Sequence, residues 1–231
     1  MAARDFEILD HSPSATTTDQ VFDLLHRAVV SLELPPRSKI SEAEIARRLD
    51  VSRQPVRDAF FRLSKLGFLQ IRPQRATLVT PISIAGVRQA AFVRTALEVA
   101  CVRAAAERAT ASDGEDLDDL LEQQRAAIEA RDTKRFHALD DAFHARMCAI
   151  AGHPYVWPLI EEQKAHMDRV RFLSLAFGQK RAYDEHREIA ASIAAHDPDR
   201  AAAALRGHLG RIEEILRTIR AEHAAYFEDD A

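Results

Sequence analysis

Apolar and polar positions along this chain change period twice, and the changes mark out its elements. Between Ser41 and Leu66 the pattern is helical. Ile45, Ala46 and Leu49 form the stripe of a short helix, and Asp50-Val51 turns the chain. Val56, Phe60 and Leu63 then form the inward stripe of a second helix. Ser52 sits where an N-cap would accept a backbone N–H, and Pro55 falls in the first turn, where its missing N–H costs nothing. Gly67 can end that helix. Phe68 to Arg72 and Ala76 to Thr80 then read as two short apolar-rich strands around Pro73-Gln-Arg75. This is the pattern of a winged helix-turn-helix.

After Pro81 the period is 3.6 nearly throughout. Breaks near Thr110–Gly114, Ala130–Thr133, Gly152–Pro154, Gly178 and His196–Pro198 divide the chain into six expected helices: 83–109, 113–130, 132–151, 154–175, 179–196 and 198–226. The fold class expected is mainly α: a winged helix-turn-helix over residues 19–81, then an all-α helical bundle over 82–226. A polar arm over 1–18 precedes both. With 231 residues, 47% of them hydrophobic, two cores are within reach.

Charge sharpens the first domain. The chain carries a net −4, yet Arg47, Arg48, Arg53, Arg57, Arg62, Lys65, Arg72 and Arg75 face only Asp50 and Asp58 between positions 47 and 75. A local basic patch on an otherwise acidic chain is suited to neutralising phosphates. Ser52, Arg53, Gln54 and Arg57 lie at the start of the second helix, the end that such motifs insert into the major groove of double-stranded DNA. Arginine reads guanine there by paired hydrogen bonds. Arg75, between the two strands, is a further candidate DNA contact. No apolar leader or membrane-length span is apparent, and Cys101 and Cys148 lie in helical apolar patterns. A cytoplasmic protein with buried free thiols is the expectation.

The second domain holds polar residues where apolar ones belong. Asp140 and His144 interrupt the stripe Phe136, Phe143, Met147 and Ala151, one turn apart. His186 shares a face with Ile189, Ala190 and Ile193, and His208 shares one with Ala204, Leu205 and Ile212. A buried carboxylate is costly without a partner. Three imidazoles and a carboxylate directed inward suit a first-row divalent metal. On periodicity alone a buried polar network fits as well, and His137 with Asp141 forms a rival pair at the same spacing. Arg94 lies near the face of Leu97 and Cys101, and Arg169 and Arg171 are further candidates for binding an anion.

Asp50 to Ala59 (Asp-Val-Ser-Arg-Gln-Pro-Val-Arg-Asp-Ala) with Leu66-Gly-Phe-Leu69 closely resembles the N-terminal domain of GntR-type bacterial transcription regulators. Pro36, Gln54 and Ala76 depart from the commonest pattern. Residues 83–225 resemble the FCD ligand domain of the FadR-like branch, through Asp140-Asp-Ala-Phe-His144, Glu185-His186-Arg187 and Gly207-His208-Leu209. The resemblance implies a metal (Zn²⁺, with Ni²⁺ or Mn²⁺ as alternatives) held by Asp140, His144, His186 and His208. It also implies a small carboxylate effector, with a sugar acid as a first guess, and an arginine at Arg94 to meet it. A homodimeric repressor on an inverted-repeat operator is the function so implied. The alternative class is a metal-dependent hydrolase of small organic acids, since such a ligand set can activate water, but that class leaves the helix-turn-helix unexplained.

Overall fold

The computed structural model describes residues 16–72, 76–174 and 178–229, and these form two compact units. One comprises the residues up to Ser83 together with those from His223 onward; the other spans Ile84–Glu222.

In the first unit, α1 (Thr17–Val30) packs on α3 (Arg53–Lys65), and α2 (Glu42–Arg48) packs on α3 as well. Thr16 caps α1 through a reciprocal box with Asp19. The helix therefore begins two residues inside the span read as an arm. Val21, Leu25, Val56, Phe60 and Leu63 are fully buried between these helices. The turn from α2 to α3 closes on a bond from the Val51 N–H to the Ala46 carbonyl, with Asp50 left-handed at φ 52°. Ser52 adopts the extended N-cap backbone, but its side chain makes no cap hydrogen bond, contrary to the expectation from its position.

At the other end of α3, Gly67 has φ 80°, and the Phe68 N–H reaches back to the Leu63 carbonyl. That closure needs a left-handed residue, which glycine supplies without a Cβ clash. The two strands expected after it are shorter than their apolar runs, β2 (Leu69–Gln70) and β3 (Thr77–Val79). A third, unforeseen strand, β1 (Lys39–Ile40), joins them in the antiparallel order β1-β3-β2. Two residues carry too little alternation to be read as a strand, and only the partner, through Ile40 opposite Thr77, makes one.

The second unit is all helix: α4 (Ile84–Arg108), α5 (Ala111–Glu129), α6 (Thr133–Ile150), α7 (Val156–Leu173), α8 (Gln179–Ala194), α9 (Pro198–Gly210) and α10 (Ile212–Glu222). Its core runs through Val102, Ala105, Phe143, Met147, Ile160, Ile189, Ala201 and Leu205. α4 lies against α6, α7, α8 and α9 and forms the spine of the bundle. The single helix expected over 198–226 is broken at Arg211 and ends at Glu222. Beyond it the chain returns to the first unit. A 3-10 turn, Ala224–Tyr226, leads to a parallel bridge between Phe227 and Ile82, both buried. Arg37, left-handed at φ 67°, donates to the carbonyls of Ala225 and Phe227 and to the Asp229 carboxylate.

Candidate metal centre and nucleic-acid interface

Asp140, His144, His186 and His208 come together although they arrive from three helices. One ligand-type atom from each lies within 4.8 Å of all the others. α6 supplies Asp140 and His144 one turn apart, α8 supplies His186, and α9 supplies His208 in its last turn. The first three are buried. The rival pair is spent elsewhere: His137 stacks on Phe172, and Asp141 pairs with Lys164 at 2.9 Å.

Two of the three imidazoles are held by their outer nitrogens. His186 Nδ1 is 2.9 Å from Gln124 Oε1, and His208 Nδ1 is 2.9 Å from Glu185 Oε2. His144 Nδ1 stands 2.5 Å from Glu98 Oε2, a close contact outside hydrogen-bond geometry. With acceptors on their Nδ1 atoms, the neutral rings of His186 and His208 carry their protons there and turn bare Nε2 lone pairs toward one another. His186 and His208 face each other Nε2 to Nε2 at 3.3 Å, and His144 Nε2 has no hydrogen-bond partner. Asp140 Oδ1 completes the group at 3.6 Å from His186 Nε2. Two bare imidazole nitrogens and a carboxylate facing one another repel unless a cation lies between. Two nitrogens bound to one zinc ion at about 2.0–2.1 Å are about 3 Å apart, the spacing seen here. The donor set fits a first-row divalent ion.

Electrostatics keep Asp140, His186 and His208 in the required protonation states. Burial, helped by the neighbouring His208, pushes the His186 imidazole well below its usual range, and burial lowers His208 too. Burial alone would raise Asp140, but Arg171, 2.5 Å from its Oδ2, and the nearby histidines hold it well below the usual carboxylate range. Burial likewise opposes charge on Glu98. Arg94, at 2.6 Å, together with His144 overcomes it and holds the carboxyl at about 2.

A cavity of about 110 Å³ opens beside the cluster. Asp140, His208, Arg94, Arg171 and Arg211 give it a charged end; Phe136, Met167, Ile212 and Ile215 give it an apolar wall. Arg94 is buried, and its Nη2 has no hydrogen-bond partner. Arg171 spans Asp140, Asp141 and Asp168. Arg169 is buried but lies outside the cavity lining, with burial depressing it to about 10. Sequence reasoning missed Glu98, Gln124, Glu185 and Arg211. Glu98 had a signal, standing one turn after Arg94, and Glu185 adjoins His186. Gln124 and Arg211 had none.

Gly178 shows how tightly that wall is built. It caps α8 at φ 93°, and a Cβ there would come within 3.3 Å of the Arg211 guanidinium.

On the first unit, Ser52, Arg53, Gln54 and Arg57 are all exposed at the start of α3. Gln54 donates to Asp58, and Arg57 is weakly paired with Glu42 at 3.4 Å. Arg75 lies outside the described residues.

Two family patterns cover most of the chain, bacterial regulatory proteins of the gntR family over residues 17–79 and the FCD domain over residues 89–211. The chain belongs to the GntR family. The HTH-type transcriptional repressor RspR of Escherichia coli is 38% identical to this GntR regulator over 95% of the chain and 97% of its own length. A regulator from an unstable DNA locus of Streptomyces ambofaciens is 34% identical over 94% and 92%. Among solved structures, E. coli McbR/YncC shares the fold, with a TM-score of 0.74 at 22% identity over 88% of this chain and 98% of its own. Family and relatives are transcription regulators, which sets aside the hydrolase alternative. Among the described residues no helix is long and apolar enough to cross a membrane.

Proposed function

We propose that this GntR regulator is a cytoplasmic, homodimeric repressor. In this reading its affinity for an inverted-repeat operator is set by a small carboxylate bound beside a metal ion in the FCD domain. The observation that carries the reading is the convergence of one ligand atom each from His144, His186, His208 and Asp140, with the Nδ1 atoms of His186 and His208 already engaged. Asp140, His144, His186 and His208 would hold the ion, zinc by preference, with nickel or manganese as alternatives. When bound, the ion would offer a Lewis-acid position to an effector carboxylate. Arg94, with its unpartnered Nη2, would donate to the carboxylate, and Arg171 would keep Asp140 ionised. Arg169 is the weakest of the proposed effector residues, since it does not line the cavity.

Ser52, Arg53, Gln54 and Arg57, with Arg75 from the wing, would contact DNA. A single winged helix reads a short half-site, so two copies on a two-fold operator supply the specificity. The effector acts only by binding the DNA-bound and free conformations unequally. Alanine at any of the four ligand positions should lower the metal content of the purified protein and blunt its response to carboxylic acids in an operator-binding titration. Operator binding without acid should persist. His153→Ala, at an exposed turn, is the control expected to retain metal. Full metal content in the four ligand variants would reject the site.

A further inference from the structure

Among the groups around the cluster, Gln124 stands apart as a neutral side chain where the other two histidines have carboxylates. It is fully buried on α5, a helix that contributes no ligand. Its amide makes two hydrogen bonds in opposite senses. Nε2 donates to the Leu139 carbonyl at 3.1 Å, and Oε1 lies 2.9 Å from His186 Nδ1. The first bond fixes the second. Turning the amide over would set Oε1 against the Leu139 carbonyl, two acceptors face to face in a buried site. Oε1 must therefore point at His186, and an amide oxygen only accepts, so His186 carries its proton on Nδ1 and leaves Nε2 bare.

We infer that Gln124 is a positioning residue for the metal centre, which selects the ligand tautomer of His186 and fixes its ring against the backbone that carries Asp140. Leu139, whose carbonyl anchors the amide, immediately precedes Asp140. One side chain on α5 thus ties ligands on α6 and α8 into a common frame. Glu185 does the same for His208 with a negative charge, and the Glu98 carboxylate lies 2.5 Å from His144 Nδ1; Gln124 acts without adding a third charge. Hydrogen bonding to the outer nitrogen fixes the ring and its tautomer and raises its strength as a ligand, and loss of such a partner typically weakens metal binding about 10–100-fold.

The inference rests on the metal reading above, and the test separates the two. Zn²⁺ affinity of the full-length protein is measured by competition with a chromophoric chelator, alongside the visible spectrum of the Co²⁺-loaded protein and thermal unfolding of the metal-free form. Gln124→Leu keeps the volume and removes the acceptor; Gln124→Ala removes both. The expected result is Zn²⁺ binding about 10–100-fold weaker for the Leu and Ala variants, with a shifted Co²⁺ spectrum. A merely structural role would lower the melting temperature of the metal-free variants and leave the affinity of the folded fraction and the Co²⁺ spectrum unchanged. That outcome overturns the inference. Wild-type protein that takes up neither ion would overturn the metal reading itself, and the inference with it.

Discussion

At the scale of single residues, the cluster makes folding sensitive to acid. The histidines at 186 and 208 are held neutral, below the value of 6.5 they would have in the unfolded chain. Below that value the unfolded state binds more protons than the folded one, so stability falls as pH falls from 6.5 toward the depressed folded values. Glu98 and Asp140 are also depressed, and their contribution, present above their ordinary range, is lost as pH drops further, for Glu98 from 4.5 toward about 2. Metal-free protein should therefore show a melting temperature that declines in two stages, first below pH 6.5 and then below pH 4.5. Differential scanning calorimetry across pH 8 to 3 checks this. A flat profile between pH 7 and 5 would contradict the assignment of neutral buried histidines. In the His186→Phe variant the first stage should shrink.

At the scale of elements, the two helices of the DNA-binding motif set up a competition. Arg57 at the start of α3 is exposed and tethered to Glu42 in the first turn of α2. An exposed pair at that separation is weak, about 0–1 kcal/mol. A guanine or phosphate can take the guanidinium from Glu42 at little cost. Arg57→Ala should lose about 1–3 kcal/mol of specific binding if the side chain reads a base. Glu42→Gln should bind DNA more tightly than wild type, since it frees Arg57 and removes a negative charge beside the phosphates. Fluorescence anisotropy with operator and scrambled duplexes, at fixed salt, measures both. The far end of α3 has its own vulnerability. Gly67→Ala places a Cβ at φ 80° and should cost about 1–2 kcal/mol of stability in the DNA-binding unit, read by chemical denaturation.

At the scale of the whole molecule, the chain passes between the two units twice, at Ser83–Ile84 and at Glu222–His223. The second passage follows directly from α10, whose first turns include the cavity residues Ile212 and Ile215. The residues beyond it belong to the DNA-binding unit, through the Ile82–Phe227 bridge and the three bonds from Arg37. Phe227 is 1% exposed. Phe227→Ala should destabilise the DNA-binding unit by about 3–5 kcal/mol, the usual cost of emptying a buried phenylalanine site. Hydrogen exchange would place the loss in α1 to β3 and spare α5, α6 and α8. Protection lost evenly over both units would show that the tail does not belong to the first.

The sequence by itself determined the helix-turn-helix, because Ile45, Leu49, Val56, Phe60 and Leu63 repeat with a helical period and exposed arginines fall on one helix end. It determined six helix starts and breaks from capping residues, glycines and prolines, and it marked Asp140, His144, His186 and His208, because a polar group on an apolar stripe violates local patterning whatever the fold. The tertiary structure alone decided the rest. β1 exists only through pairing with β3, and the break at Arg211 comes directly after Gly210 in a stretch whose apolar period otherwise stays helical. Gln124, Glu98 and Glu185 became part of the site because helices remote in sequence set each of them against a histidine ring. The return of residues 223–229 to the first unit was likewise invisible, since a buried phenylalanine after a helix gives no sign of which core receives it. Periodicity reports which face of an element is buried; only packing reports what it is buried against.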